Sequence, residues 1–363
     1  MYKQWGISLV ELMVSITVGL VLMAGVVQLF LSSKLTFTTQ QAMSRVQETG
    51  RLAMEFMSED IRMAGHMGCL NVASFGPDNK FFRNFLKDET TLAYNYEVAV
   101  DGMDASKVKD EYPEPPNGGV LAGTDALLIR SASGRNVGIA RKNDPTQLFI
   151  ENTGVETGEC DNGTNKTDKY SGLCAGDILA VADCDSVRVF QATGFTGSAG
   201  SAEIGVQHTD DSSFTPGNRV ATWGAEDIDE RQTFGKDAQI LTIQNIFYYI
   251  ANNTTNNPSL FRQVNKDGPQ ELLQGVEDMQ LTYGVDTNSD GTPDTYRPAH
   301  QIAANQWGSV SSVRLELLVA STEDNVLQEP QGYTFNGVPV DDPGDRRLRQ
   351  VFSTTVAIRG LLP

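Results

Sequence analysis

The stretch Asp286-Thr287-Asn288-Ser289-Asp290-Gly291-Thr292-Pro293-Asp294 alternates oxygen-bearing side chains and puts glycine at the sixth position. That pattern is what a tight calcium loop requires. Asp286, Asn288 and Asp290 would ligate through side chains, Thr292 through its carbonyl, and Asp294 directly or through water. The twelfth position is Arg297 instead of a bidentate Glu, which excludes a full EF-hand. The alternative reading is a solvated Asx/Gly turn between two strands, which needs no metal. A different kind of carboxylate, Glu11, stands inside an apolar run from Ile7 to Leu31 that is otherwise broken by Ser8, Ser15, Thr17 and Gln28. An ionisable group in such a run is costly and ordinarily has a partner.

Four cysteines, Cys69, Cys160, Cys174 and Cys184, lack the close pairs of a zinc site. Their even number favours disulfides, with three pairings open. Cys160–Cys174 would staple a hydrophilic loop, stabilising by about 3 kcal/mol in the chain-entropy model. Cys69–Cys184 would tie the end of a long helix to a sheet, and this combination is the preferred one; free buried thiols are the alternative. His66, His208 and His300 are widely separated, which argues against a zinc hydrolase built on clustered histidines. Walker A, Gly-x-Ser-x-Gly and helix-opening Gly-x-Gly-x-x-Gly motifs are all missing, so catalysis finds no support. Glu226-Asp227, with Asp229, Glu230 and Arg231, reads as a solvated loop face.

These groups must be positioned by a chain of 363 residues, long enough for two or three average domains or one large domain with an appendage. Acidic residues outnumber basic ones 46 to 28, and the net charge of -18 disfavours nucleic-acid binding. As a helix, Ile7–Leu31 would span about 37 Å, enough to cross a hydrocarbon core of roughly 30 Å. The run exceeds the roughly 7–15 residues of a signal-peptide core, and no small-x-small cleavage site follows it. Lys3 precedes the run and Lys34 and Arg45 follow it, so flanking charge barely orients it; a cytoplasmic N-terminus with the remainder translocated is the default. Beyond it, Ala42, Val46, Ala53, Met57, Ile61 and Ala64 form one apolar stripe at helical spacing. Ile7–Ala64 therefore reads as one helix of roughly 87 Å, stopped by Gly65 and Gly68. Met54, Met57, Met63 and Met67 read as core filling.

Short β-rich segments follow: Asp125–Arg130, Gln147–Glu151, Asp177–Val181, Val187–Thr193, Gln239–Ile250, Ser259–Val264, Met279–Val285, Val310–Ala320 and Arg349–Arg359. Gly194–Gly205, rich in Gly, Ser and Ala, reads as a flexible loop. The expected fold class is α+β, a long N-terminal helix packed on a mainly antiparallel β-sheet head. Its divisions are residues 7–31, the transmembrane half of the helix; 32–65, the amphipathic half; and 66–363, the head.

The segment Gly6-Ile7-Ser8-Leu9-Val10-Glu11-Leu12-Met13 resembles the class III signal of type IV prepilins. The resemblance implies a leader peptide over residues 1–6, cut by an inner-membrane prepilin peptidase between Gly6 and Ile7, with methylation of the new amine. It places Glu11 at the fifth mature position, where it would pair with the N-terminal amine of an adjoining subunit. Ile7 stands where Phe is commoner, and no proline precedes Pro77. Further motifs resemble PilW-type minor pilins: Gln47–Leu52 and Asp60–Cys69 at the helix exit, Gly176-Asp177 through Asp183-Cys184, and Ser259-Leu260-Phe261-Arg262. The most specific is Gly275-Val276-Glu277-Asp278-Met279-Gln280 leading into Tyr283-Gly284-Val285-Asp286. Such proteins are low-abundance pilus subunits that join other minor pilins and a large tip adhesin, prime assembly, and support adhesion and twitching motility. The resemblance implies an inner-membrane location with a periplasmic head, then the extracellular pilus tip. It implies no required cofactor and no nucleic-acid partner. The alternatives are a type II secretion pseudopilin at the pseudopilus tip and a membrane-anchored periplasmic binding protein or enzyme.

Overall fold

One helix, Leu9–Arg62, runs without a break in the computed structural model, which describes residues 8–71, 81–104, 120–157, 160, 168–198, 200–220, 222–223, 233–265, 267–288 and 290–359. Its two halves have opposite surroundings. The first is bare: Leu9, Val21 and Leu29 are more than 70% exposed, and an 18-residue window of mean hydropathy 2.3 has none of its residues buried. The second buries a stripe of Ala42, Val46, Gly50, Ala53, Met57 and Ile61. Five of those six were legible from spacing. Gly50 was not, and it is a matter of space: a side chain there would run into the Phe352 ring. Met57 and Met67 are fully buried, while Met63 is 38% exposed, so Met63 is not the core filling expected.

The stripe lies where two sheets meet. A four-stranded sheet runs in the order Thr295–Arg297, Val276–Val285, Val310–Ala320, Arg349–Ala357, and its three pairings are antiparallel. Met279, Leu281, Tyr283, Val313, Leu315, Leu317 and Val319 join the helix stripe in one core. The larger sheet has eleven strands. Its spine is the pair Asp125–Arg141 and Gln239–Asn252, with a register shift between Leu241 and Ile243.

Each spine strand contributes to several cores. Leu127, Ile129, Ile246, Tyr248 and Ile250 face the helix core. Farther along, Val137, Ile139 and Ile240 face a second core with Leu148, Phe190, Ile204, Trp223 and Phe234. Val187–Gln191 is buried at every residue and pairs in parallel with Phe82–Asn84. The spine therefore joins the helix core to a second lobe built on the core around Phe190 and Trp223.

This corrects the expectation of a helix on a simple pilin head sheet. Strand outweighs helix, and an eleven-stranded sheet stands beside the four-stranded one, although the chain still combines helix and sheet. The physical reason lies in Ser131–Arg141, a polar run that looks like a loop end. It continues as strand because Gln239–Ile243 and Gln147–Glu151 pair with it, and that extension carries the second lobe. Gly194–Gly205 is also corrected: Gly194–Thr196 pairs with Glu203–Gln207. A side chain at Gly205 would strike Thr196 and Gln147, so glycine there clears space inside a sheet.

Two close fits generate predictions. Tyr283, fully buried, carries its ring from the small sheet against Gly102 in the Val100–Asp104 strand of the large sheet. A methyl at Gly102 would fall on the phenol, so Gly102→Ala should destabilise by about 1–3 kcal/mol in chemical denaturation. Tyr283→Leu should recover part of that loss.

His208, at 0% exposure, stacks on Trp223 with ring centroids 4.0 Å apart. Burial pushes its pKa down to about 4, with Asp144 pulling weakly the other way. The unfolded chain then binds the extra proton, so about 3 kcal/mol present above pH 6.5 should be lost as pH falls toward 4. Asp278, raised to about 6 by burial, acts in the opposite sense over part of that range. The comparison that isolates the histidine is therefore His208→Phe, whose stability should fall less on acidification than that of the parent.

Candidate assembly site

Glu11 lies in the first turn of the helix, where an anionic side chain is favoured by the unpaired backbone N–H groups and the dipole. It is exposed, and around it are the bare apolar residues Leu9, Val10, Leu12 and Met13. Gly6 and Ile7, the expected cleavage and methylation positions, lie outside the described residues, as does the leader.

The helix is held to the head at three heights. Near the bare half, the Thr39 hydroxyl donates to the Val326 carbonyl at 2.9 Å. Nearly two turns further on, Arg45 pairs with Glu323 at 2.6 Å. This pair is more than half exposed on both sides and contributes little in itself. The strongest hold is at the far end, where Asp60 accepts from the Tyr248 hydroxyl at 2.6 Å and from Arg262 Nε at 3.1 Å. Both donors converge on one carboxylate oxygen, and burial followed by the neighbouring Asp60 charge pushes the Tyr248 phenol far up.

Sequence reasoning did not connect these three residues. Arg262 was legible only as part of a motif, and Asp60 lies 202 residues away from it.

The motif around Gly275–Asp286 takes on definite roles in the structure. Gly275 has φ +90°, and a side chain there would strike the Ala320 carbonyl. Its N–H donates to Pro258, and its carbonyl accepts from Ala320, linking the large sheet to the small one. Glu277 accepts from Arg349 Nε at 2.6 Å and Nη2 at 3.0 Å. Arg349 also grips Asp345 at 2.6 and 2.7 Å, holding that carboxyl down to about 2. With both carboxylates bonded and the guanidinium 7% exposed, this cluster is a structural clamp.

The nine-residue oxygen loop closes on itself. Asp286 accepts from the Asn288 and Gly291 N–H groups, Asn288 from Asp290, and Asp290 from the N–H and hydroxyl of Thr292. Asp294 accepts from the N–H and hydroxyl of Thr287 and from the Asn288 amide. The oxygens proposed as calcium ligands thus serve nested Asx turns. Among the described residues, no three His, Cys, Asp or Glu side chains converge as a metal site.

Both disulfides join the expected partners, Cys69–Cys184 and Cys160–Cys174, and no cysteine is free. The first ties the helix exit to the turn between Ile178–Ala182 and Val187–Gln191. Glu226, Asp227, Asp229, Glu230 and Arg231 lie outside the described residues.

A long helix, bare and apolar for its first half and clamped to a β-rich head by its second, gives the chain an exposed hydrophobic stem. Residues 247–360 match the family model described as Type IV Pilus-assembly protein W. That segment is accordingly similar to PilW-type, pilus-associated proteins, as the sequence motifs implied, and the match supports a function related to the type IV pilus. The matched segment contains Tyr248 and Arg262 and the whole four-stranded sheet, so it includes the head's side of the helix clamp. Neither the curated proteins nor the solved structures yield a match.

The oxygen loop separates its two readings by melting. As a self-closed turn, it should give the same melting temperature in calcium and in chelator, and Asp286→Ala should lower both equally. A rise that appears only with calcium and disappears in Asp286→Ala would assign the loop an ion.

Proposed function

We propose that this chain is a minor pilin of the type IV pilus, inserted into the fibre through its N-terminal helix. The observation that carries the reading is the bare apolar half-helix with Glu11 in its first turn, continuous with a second half clamped by the PilW-matched segment. On this reading prepilin peptidase removes residues 1–6 and methylates Ile7. Residues 7–31 then leave the inner membrane for the fibre core, residues 32–65 carry the head, and residues 66–363 form it. In the fibre core, the Glu11 carboxylate loses water and requires a cation close by. The N-terminal amine of the adjoining subunit supplies that charge and fixes the axial register between neighbours. The head stays periplasmic until assembly and then occupies the pilus tip, with other minor pilins and a tip adhesin as partners, in support of adhesion and twitching motility.

The test is the mass of the N-terminal peptide from protein isolated in a membrane fraction. A chain beginning with N-methyl Ile7 is expected; retention of Met1, or a cut beyond Val26, would overturn the reading. Glu11→Ala should be cleaved normally yet be lost from sheared pili, and normal incorporation of that variant would reject the amine pairing.

A further inference from the structure

The two disulfides sit in opposite surroundings. Cys160 and Cys174 are 8% and 4% exposed, whereas Cys69 and Cys184 are both open to solvent. The open bridge is also the one that joins distant parts of the fold, its ends 115 positions apart in the sequence against 14 for the buried one. It borders an open cavity of about 680 Å³ whose wall includes His66, Ser133, Asn136, Lys236 and Asp237.

Thiol–disulfide exchange needs access for an attacking thiolate, and the exposure of both cysteines supplies it.

We propose that Cys69–Cys184 is a site of thiol–disulfide exchange with a dithiol protein of the oxidoreductase class, acting on the folded chain, and that Cys160–Cys174 is closed to it. In the reducing direction, a thiolate of the partner attacks one sulfur of the bridge. The Cys69–Cys184 bond breaks, a mixed disulfide forms, and the other sulfur leaves as a thiolate that takes up a proton. The partner's second thiol then attacks the mixed disulfide and releases the second cysteine. Two electrons have passed to this chain, and the partner dithiol has become a disulfide. The reverse sequence, with an oxidised partner, closes the bridge.

Reduction has a defined structural effect. It unfastens the helix exit from the second lobe, while the Asp60 contacts with Tyr248 and Arg262 keep the helix on the head. This inference stands apart from the pilus reading, because it rests on the head alone.

The experiment treats the full chain, in detergent and without denaturant, with reduced thioredoxin as the probe, followed by alkylation and peptide mapping. Labels are expected on Cys69 and Cys184 at a rate at least about tenfold above that at Cys160 and Cys174. Labelling of all four cysteines together, labelling of Cys160 and Cys174 first, or no labelling at all would overturn the proposal.

Discussion

Everything in this molecule depends on how a 54-residue helix, unsupported for its first half, is gripped by its second. The grip is mainly apolar. Small residues, Ala42, Gly50 and Ala53, bring the helix axis close to the sheets, while Met57 and Ile61 fill the junction between them. Burial of that stripe provides most of the adhesion, since apolar area removed from water is the dominant favourable term. The polar contacts have another task. Two sheets present a smooth apolar surface along which a helix could slip by a turn, and Asp60 meets Tyr248 and Arg262 in one register only. Removing Asp60 takes the shared acceptor from two part-buried donors at once, which is how a polar contact specifies position more than it adds stability.

The paired strands Asp125–Arg141 and Gln239–Asn252 solve a second problem, that of enlarging a head without adding a separate domain. Their first paired stretch belongs to the helix core, and their continuation supports the core around Phe190, Trp223 and Phe234. The PilW match begins within the second of these strands, at Phe247. It therefore includes the residues that hold the helix and leaves out most of the second lobe. This physical separation lets the lobe vary in shape while the spine keeps the helix contacts intact.

Much of this was legible in the sequence because its signals are local. The helix shows in spacing from Ala42 to Ala64, and Gln147–Glu151 and Val310–Ala320 appear in the structure with the bounds their composition gives. The disulfide partners were also readable, since only a few pairings exist. What failed was long-range or depended on neglected shape. Gly205 looks like a loop residue, yet it serves to admit the side chains of Thr196 and Gln147. Gly102 carries no signal until Tyr283 is brought across from another sheet. Ser131–Arg141 has too little apolar alternation to read as strand, and only its partners make it one. The oxygen loop was legible as a pattern, but the same oxygens satisfy backbone N–H groups as readily as they would ligate an ion.

The height of the Asp60 contact has a mechanical meaning. By helix rise alone it stands about 44 Å beyond Leu31, at the end of the grip farthest from the bare stem. A pull along the stem is therefore parallel to the whole buried stripe and loads it in shear, with apolar and polar contacts sharing the force at once. Had the polar anchor been close to the stem, the same pull would have met it first and opened the interface like a zip. The exposed Arg45–Glu323 pair is the weaker latch at that near end. A head arranged in this way resists tension along the stem better than a sideways lever applied to the stem itself.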